Sequence, residues 1–260
     1  MTNEIINTCY YASYIVDKTP EWVDSVKKLS DTNDSNNRLI INLWLWLLYN
    51  YEIKINLKNY RKLDKPNICH FVYNKKIYIS FSGTKESMEY WRIFKSRLVW
   101  SDRLNCHMHL GFLELFNKIV DEVLDLYKYY YDTTKYELVI TGHTIGGAIA
   151  KLVAFYLNRR YKNFFIQCVT FGAPKIGNKH FNRTFNIFVP KHISIILKND
   201  FIPSLPFSLV NKEKNTYTYC GHHLVKYRYK CKCIFKSLFK LNFYKERLAA
   251  YYDYHYKSYY

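Results

Sequence analysis

The stretch TGHTIGGA, residues 141–148, sets the hydroxyl of Thr144 at the centre of a G-x-T-x-G pattern. A hydroxyl so placed is a candidate nucleophile for acyl transfer. That chemistry also needs a base, a carboxylate to orient the base, and donors for a developing oxyanion. Asp200, in LKNDFIPSLP, is the acid candidate, because it sits in a polar turn after an apolar run. Downstream of it the histidines are His222, His223 and His255. In the order nucleophile, acid, base, one of these would take the proton.

Those side chains need a rigid frame, and the patterning supplies one. From about residue 71, strand and helix signals alternate, which argues for an α/β sheet. KIYISFSGT alternates Ile77, Ile79 and Phe81 and ends in a turn at Gly83. From Gly111, apolar residues at Phe112, Leu115, Phe116, Ile119, Val123 and Leu126 follow helical spacing. YELVIT is a short strand running into Thr144. After it, Ile145, Ala148, Ile149, Leu152, Val153 and Tyr156 mark a helix. NFFIQCVTFGAP reads as a strand, FNRTFN as a short helix and HISIILKND as a strand ending at the acid turn. Gly142 and Gly146 allow a sharp turn and close approach of helix and strand. Gly147, Ala148 and Ala150 keep the first helical turn slim. The segment LVKYRYKCKC, 224–233, alternates lysine and arginine with tyrosine and cysteine, so it predicts a strand with one basic face. Such a face blunts a sheet edge against aggregation, or meets an anionic membrane.

The chain has 260 residues, 49% of them hydrophobic, enough to bury a sizeable core. The formal net charge of +18 favours acidic partners and makes an anionic membrane surface a candidate. A/T-rich codon usage also enriches lysine, asparagine, tyrosine and isoleucine. No motif that reads nucleic acid accompanies the charge, so no specific nucleic acid is expected. The seven cysteines show no disulfide framework. Cys231 and Cys233, near His222 and His223, fit no standard zinc spacing, so neither metal nor cofactor is expected. Free thiols in a reducing compartment are the simpler reading. The N-terminus lacks a basic region followed by an apolar core, and LIINLWLWLLY, 39–49, is too short to span a bilayer. That run predicts a buried helix, and the whole a cytoplasmic protein.

Six blocks, in order over roughly residues 60–260, resemble the class 3 lipases, the fungal-type triacylglycerol lipases of the α/β-hydrolase superfamily. IYISFSGTKESMEYW is similar to that family's strand and oxyanion turn, and CHMHLGF to its H-x-G-F. LVITGHTIGGAIAKLVA resembles V-x-T-G-H-S-L-G-G-A-x-A, and VTFGAPKIGN resembles T-F-G-x-P-x-V-G-N. ILKNDFIPSLP resembles the acid loop, with Leu197 in place of an asparagine, and YDYHYKSYY the terminal D-x-H. The resemblance implies a mostly parallel central sheet flanked by helices, with a lid-like helix. It implies one domain over 1–260, with a helical segment over 1–60 and the lipase-like core over 61–260.

Residue by residue, the resemblance puts Thr144 in the nucleophile slot, Asp200 in the acid slot and His255 in the base slot. The backbone amides of Thr84 and Ile145 would form the oxyanion hole. Ser82 stands where the family usually has a charged residue. Tyr219 and His223 fall at the histidine and glutamate of H-x-G-x-E, which makes His222 and His223 strand neighbours rather than the base. His109 and His143 match histidines of structural type. Met88, Trp91, Phe94, Leu98 and Val99 would form the apolar face of the lid, or of an ordinary surface helix packed on the core. The implied activity is hydrolysis of carboxylic esters of lipids through an acyl-enzyme. Threonine in the serine slot carries two costs. A β-branched residue tolerates positive φ poorly, and the methyl crowds the attacking oxygen. The other reading is therefore a catalytically inactive lipase-fold protein that binds lipid or a protein partner.

Overall fold

The structure is a computed structural model. It describes residues 5–6, 8–10, 12–13, 16, 54–55, 66, 68–82, 96–133, 136–161, 166–197, 200, 202–206, 217–220 and 223–227. Among these, a seven-stranded sheet has the order β1 (Lys54–Ile55), β2 (Ile68–Tyr73), β3 (Lys76–Phe81), β6 (Glu137–His143), β7 (Ile166–Phe171), β9 (His192–Leu197) and β11 (His223–Tyr227). From β3 to β11 every neighbouring pair is parallel. β1 and β2 extend the sheet as antiparallel strands. A small antiparallel sheet joins β4 (Leu98–Ser101), β5 (Cys106–His109), β8 (Gly177–Asn178) and β10 (Tyr217–Thr218). The helices are α1 (Leu110–Thr133), α2 (Ile145–Arg160) and α3 (Lys179–Phe188).

Parallel sheets need both faces covered, and this one is. Ile77, Ile79 and Phe81 of β3, Leu138 and Ile140 of β6, and Ile166 and Cys168 of β7 share one buried cluster with α1, α2 and α3. Tyr78, Val139, Val169, Phe171 and Ile195 point the other way, onto Ile5, Cys9, Ala12 and Val16 of a helical N-terminal stretch. Helix α2 lies between the sheet and helices α1 and α3. It is consequently buried all round from Ile145 to Leu157 rather than along one stripe. Asn178 caps α3 by accepting a hydrogen bond from the Phe181 amide at 3.0 Å.

Two expectations change. Lys54–Ile55 is a strand within the segment read as helical, paired antiparallel with Cys69 and His70. The alternation Ile53, Lys54, Ile55 was its signal. Leu98 and Val99 extend no lid helix: they open β4, which pairs with β5 across the turn Asp102–Asn105. Asn105 takes φ 51° there, a conformation asparagine tolerates. Cross-strand pairing overrides the helical spacing that runs through these two residues. The remaining lid residues, Met88, Trp91 and Phe94, lie outside the described residues. So do Thr84, His222, Cys231, Cys233, His255 and the run 39–49. No described helix is long and apolar enough to cross a membrane.

Candidate active site

Strand β6 delivers Thr144, and the backbone reverses there at φ 53° and ψ −115°. Two bonds pin the turn. The Thr144 amide donates to the Phe171 carbonyl at the end of β7, at 2.9 Å, and the Thr144 carbonyl accepts from the Ala148 amide at 3.1 Å. The flanking glycines are demanded by contact. A Cβ on Gly142 would lie 2.3 Å from the carbonyl of Gly146, and one on Gly146 would lie 2.2 Å from the Phe81 oxygen. Helix α2 therefore starts directly against the end of β3, where the chain enters the segment containing Thr84.

Ile145 is the first residue of α2. The opening amides of a helix have no partner inside it and carry the positive end of its dipole. They are donors available to an oxyanion. Thr144 is buried, and its side chain makes no cap bond to its own helix. Instead its Oγ1 lies 3.0 Å from Nε2 and 3.2 Å from Nδ1 of the buried His143.

Asp200 follows β9. Its Oδ1 accepts from the Ile202 amide at 3.0 Å, and Oδ2 is buried with no hydrogen-bond partner among the described residues. Burial pushes the carboxyl up to about 7, against the opposing pull of His143 and the Ile202 amide. The loop after Asp200 is tied to the connection between β7 and β8, since the Lys175 amide donates to the Leu205 carbonyl at 2.8 Å. Beside it stands Tyr219. Its ring centroid is 5.8 Å from Nζ of Lys151 and 6.0 Å from Nζ of Lys175. Burial first, then the charge of Asp200, pushes the Tyr219 hydroxyl far up.

The structure thus describes Thr144, Ile145 and Asp200 of the expected site, while Thr84 and His255 are outside its described residues. His109 is a core residue, fully buried and stacked on Phe112 with ring centroids 4.1 Å apart. Sequence reasoning did not single out Lys151, which is fully buried in α2 with its Nζ unbonded among the described residues. A lysine inside the run AIAKLVAF was the available signal. It also did not anticipate that His143 touches the Thr144 hydroxyl, since adjacent residues in a strand ordinarily point to opposite faces. The described Cys9, Cys69, Cys106, Cys168 and Cys220 are free thiols. Among the described residues no cluster of three metal-ligating side chains occurs.

A family model described as Lipase (class 3) matches residues 78–210, about half of the chain. A lipase of Caenorhabditis elegans is 29% identical over 143 residues, covering 51% of this chain and 38% of that protein. The secreted mono- and diacylglycerol lipase 1 of Fusarium solani is 31% identical over 104 residues, covering 39% of this chain and 30% of that protein. The matches therefore span well under half the length of these relatives. The triacylglyceride lipase structure of Rhizomucor miehei superposes with a TM-score of 0.63 at 19% identity, over 88% of this chain and 81% of that one. That likeness establishes the α/β-hydrolase fold.

Proposed function

We propose that this chain, which belongs to the class 3 lipase family, hydrolyses carboxylic esters of lipids through an acyl-enzyme on Thr144. The observation that carries this reading is the turn at Thr144. A β-branched residue is held at φ 53° between a buried strand and a helix N-terminus, and its hydroxyl is not spent on capping. Such strain is kept at functional sites.

In this mechanism His255, oriented by the Oδ2 of Asp200, takes the Thr144 proton as Oγ1 attacks the ester carbonyl. The Ile145 and Thr84 amides hold the resulting oxyanion. Collapse expels the alcohol, which takes up the proton from His255. Water then repeats the sequence on the acyl-threonine and releases the fatty acid. The positive charge of the chain supports an anionic lipid surface as the place of action. The free thiols support a reducing, cytosolic setting.

The test compares wild type with Thr144→Ala on p-nitrophenyl esters of short and long chain. Wild type should turn over and the variant should not. Equal rates would leave a catalytically silent lipase fold. Binding to phosphatidylserine vesicles should weaken as salt rises, and salt-independent binding would remove the anionic surface from the proposal.

A further inference from the structure

Lys151 stands in the middle of α2 with its side chain fully buried, and its Nζ has no hydrogen-bond partner among the described residues. A buried donor without an acceptor works against the fold, so its surroundings show what would complete it. The Tyr219 hydroxyl is a second buried atom without a partner among them. The two belong to one place. Nζ of Lys151 is 5.8 Å from the centroid of the Tyr219 ring, and Nζ of Lys175, on the connection between β7 and β8, is 6.0 Å from the same centroid. Cys168 of β7 and Cys220, next to Tyr219, are the thiols on which the charge of Lys151 acts.

None of these groups answers the buried amino group. Burial pushes both thiols and the Tyr219 phenol up, so all three stay neutral. Lys175 is a further donor. The acid that acts on Tyr219 is Asp200, and its Oδ2 is the oxygen that the proposed mechanism gives to the base. The cluster therefore holds more donors than acceptors, and two basic side chains against one carboxyl. What completes it brings acceptor capacity and a single negative charge. It is also small, because the Lys151 side chain is enclosed on every side. A water molecule would satisfy the donors and leave the charge unbalanced. We propose that Lys151 Nζ and the Tyr219 hydroxyl bind a monovalent anion of halide size, chloride first, with Lys175 as the outer basic group. The ion ties α2, the connection between β7 and β8 and the chain after β10 together at one point, beside the acid loop.

Thermal midpoints in sodium chloride and in sodium gluconate, at equal ionic strength, test the site. Chloride should raise the wild-type midpoint by about 2–4 °C once it exceeds its dissociation constant several-fold. Lys151→Met should lose this response, and Tyr219→Phe, which keeps the ring, should weaken it. Wild-type crystals soaked in bromide should show an anomalous peak between Lys151 Nζ and the Tyr219 hydroxyl, which decides the matter even where a variant fails to fold. Equal wild-type midpoints in the two salts, an undiminished chloride response in Lys151→Met, or a bridging water without anomalous signal overturns the proposal. None of these readouts involves ester hydrolysis, so they stand or fall apart from the hydrolase reading.

Discussion

Replacing Thr144 by alanine and by glycine isolates the cost of the Cβ at φ 53°. Both variants lack the hydroxyl and the methyl, so the contact with His143 and the buried methyl cancel in the comparison. What remains is backbone. A non-glycine residue held in so sparsely populated a region stores about 1–3 kcal/mol. Glycine gives back about 0.5–1 kcal/mol through the greater freedom of its unfolded chain. The net expectation is that Thr144→Gly is more stable than Thr144→Ala by up to about 2.5 kcal/mol, the reverse of the usual order inside regular structure. For a chain of this size that separates the two thermal midpoints by up to roughly 10 °C. Urea and thermal unfolding of both variants measure the difference. An ester assay run alongside should find both at background. If the alanine variant is the more stable of the two, the strain stored at this turn is below that range of about 1–3 kcal/mol.

Lys151→Met should raise stability by about 1–3 kcal/mol, because it replaces a fully buried amino group lacking a hydrogen-bond partner among the described residues with an apolar chain of similar length. A destabilised variant in urea titration would show that Nζ is paired in the folded protein. Gly146→Ala should fold poorly or not at all, since its Cβ would stand 2.2 Å from the Phe81 oxygen and 2.6 Å from that of Ser82, both backbone atoms. A soluble variant with wild-type midpoint would refute the close approach. The mechanism needs Asp200 ionised, and burial pushes its carboxyl up to about 7. The value of kcat/KM should therefore fall as pH drops through about 7. A profile flat from pH 8 to pH 5 would mean that a cationic partner holds the carboxylate ionised.

The sequence by itself determined the run β3, α1, β6, α2, β7, α3 and β9, because period-two and helical patterns are local and each was strong there. It also determined the place of Thr144 between strand and helix. Small residues at 142, 146 and 147 have no role in an ordinary helix start. The position of Asp200 in a turn after β9 was legible for the same reason. Other features needed the tertiary structure. Leu98 and Val99 obey helical spacing as well as strand alternation, and only pairing with Met108 and His109 decides between them. Lys54 and Ile55 become a strand because β2 offers an edge. Lys151 looks like a solvated charge until α2 is enclosed on all sides by the sheet, α1 and α3. His143 and Thr144 are adjacent in every reading of the chain. That the imidazole meets the hydroxyl depends on the reversal at φ 53°, a dihedral set by the close packing of β3, β6 and α2 and not by any local preference of threonine.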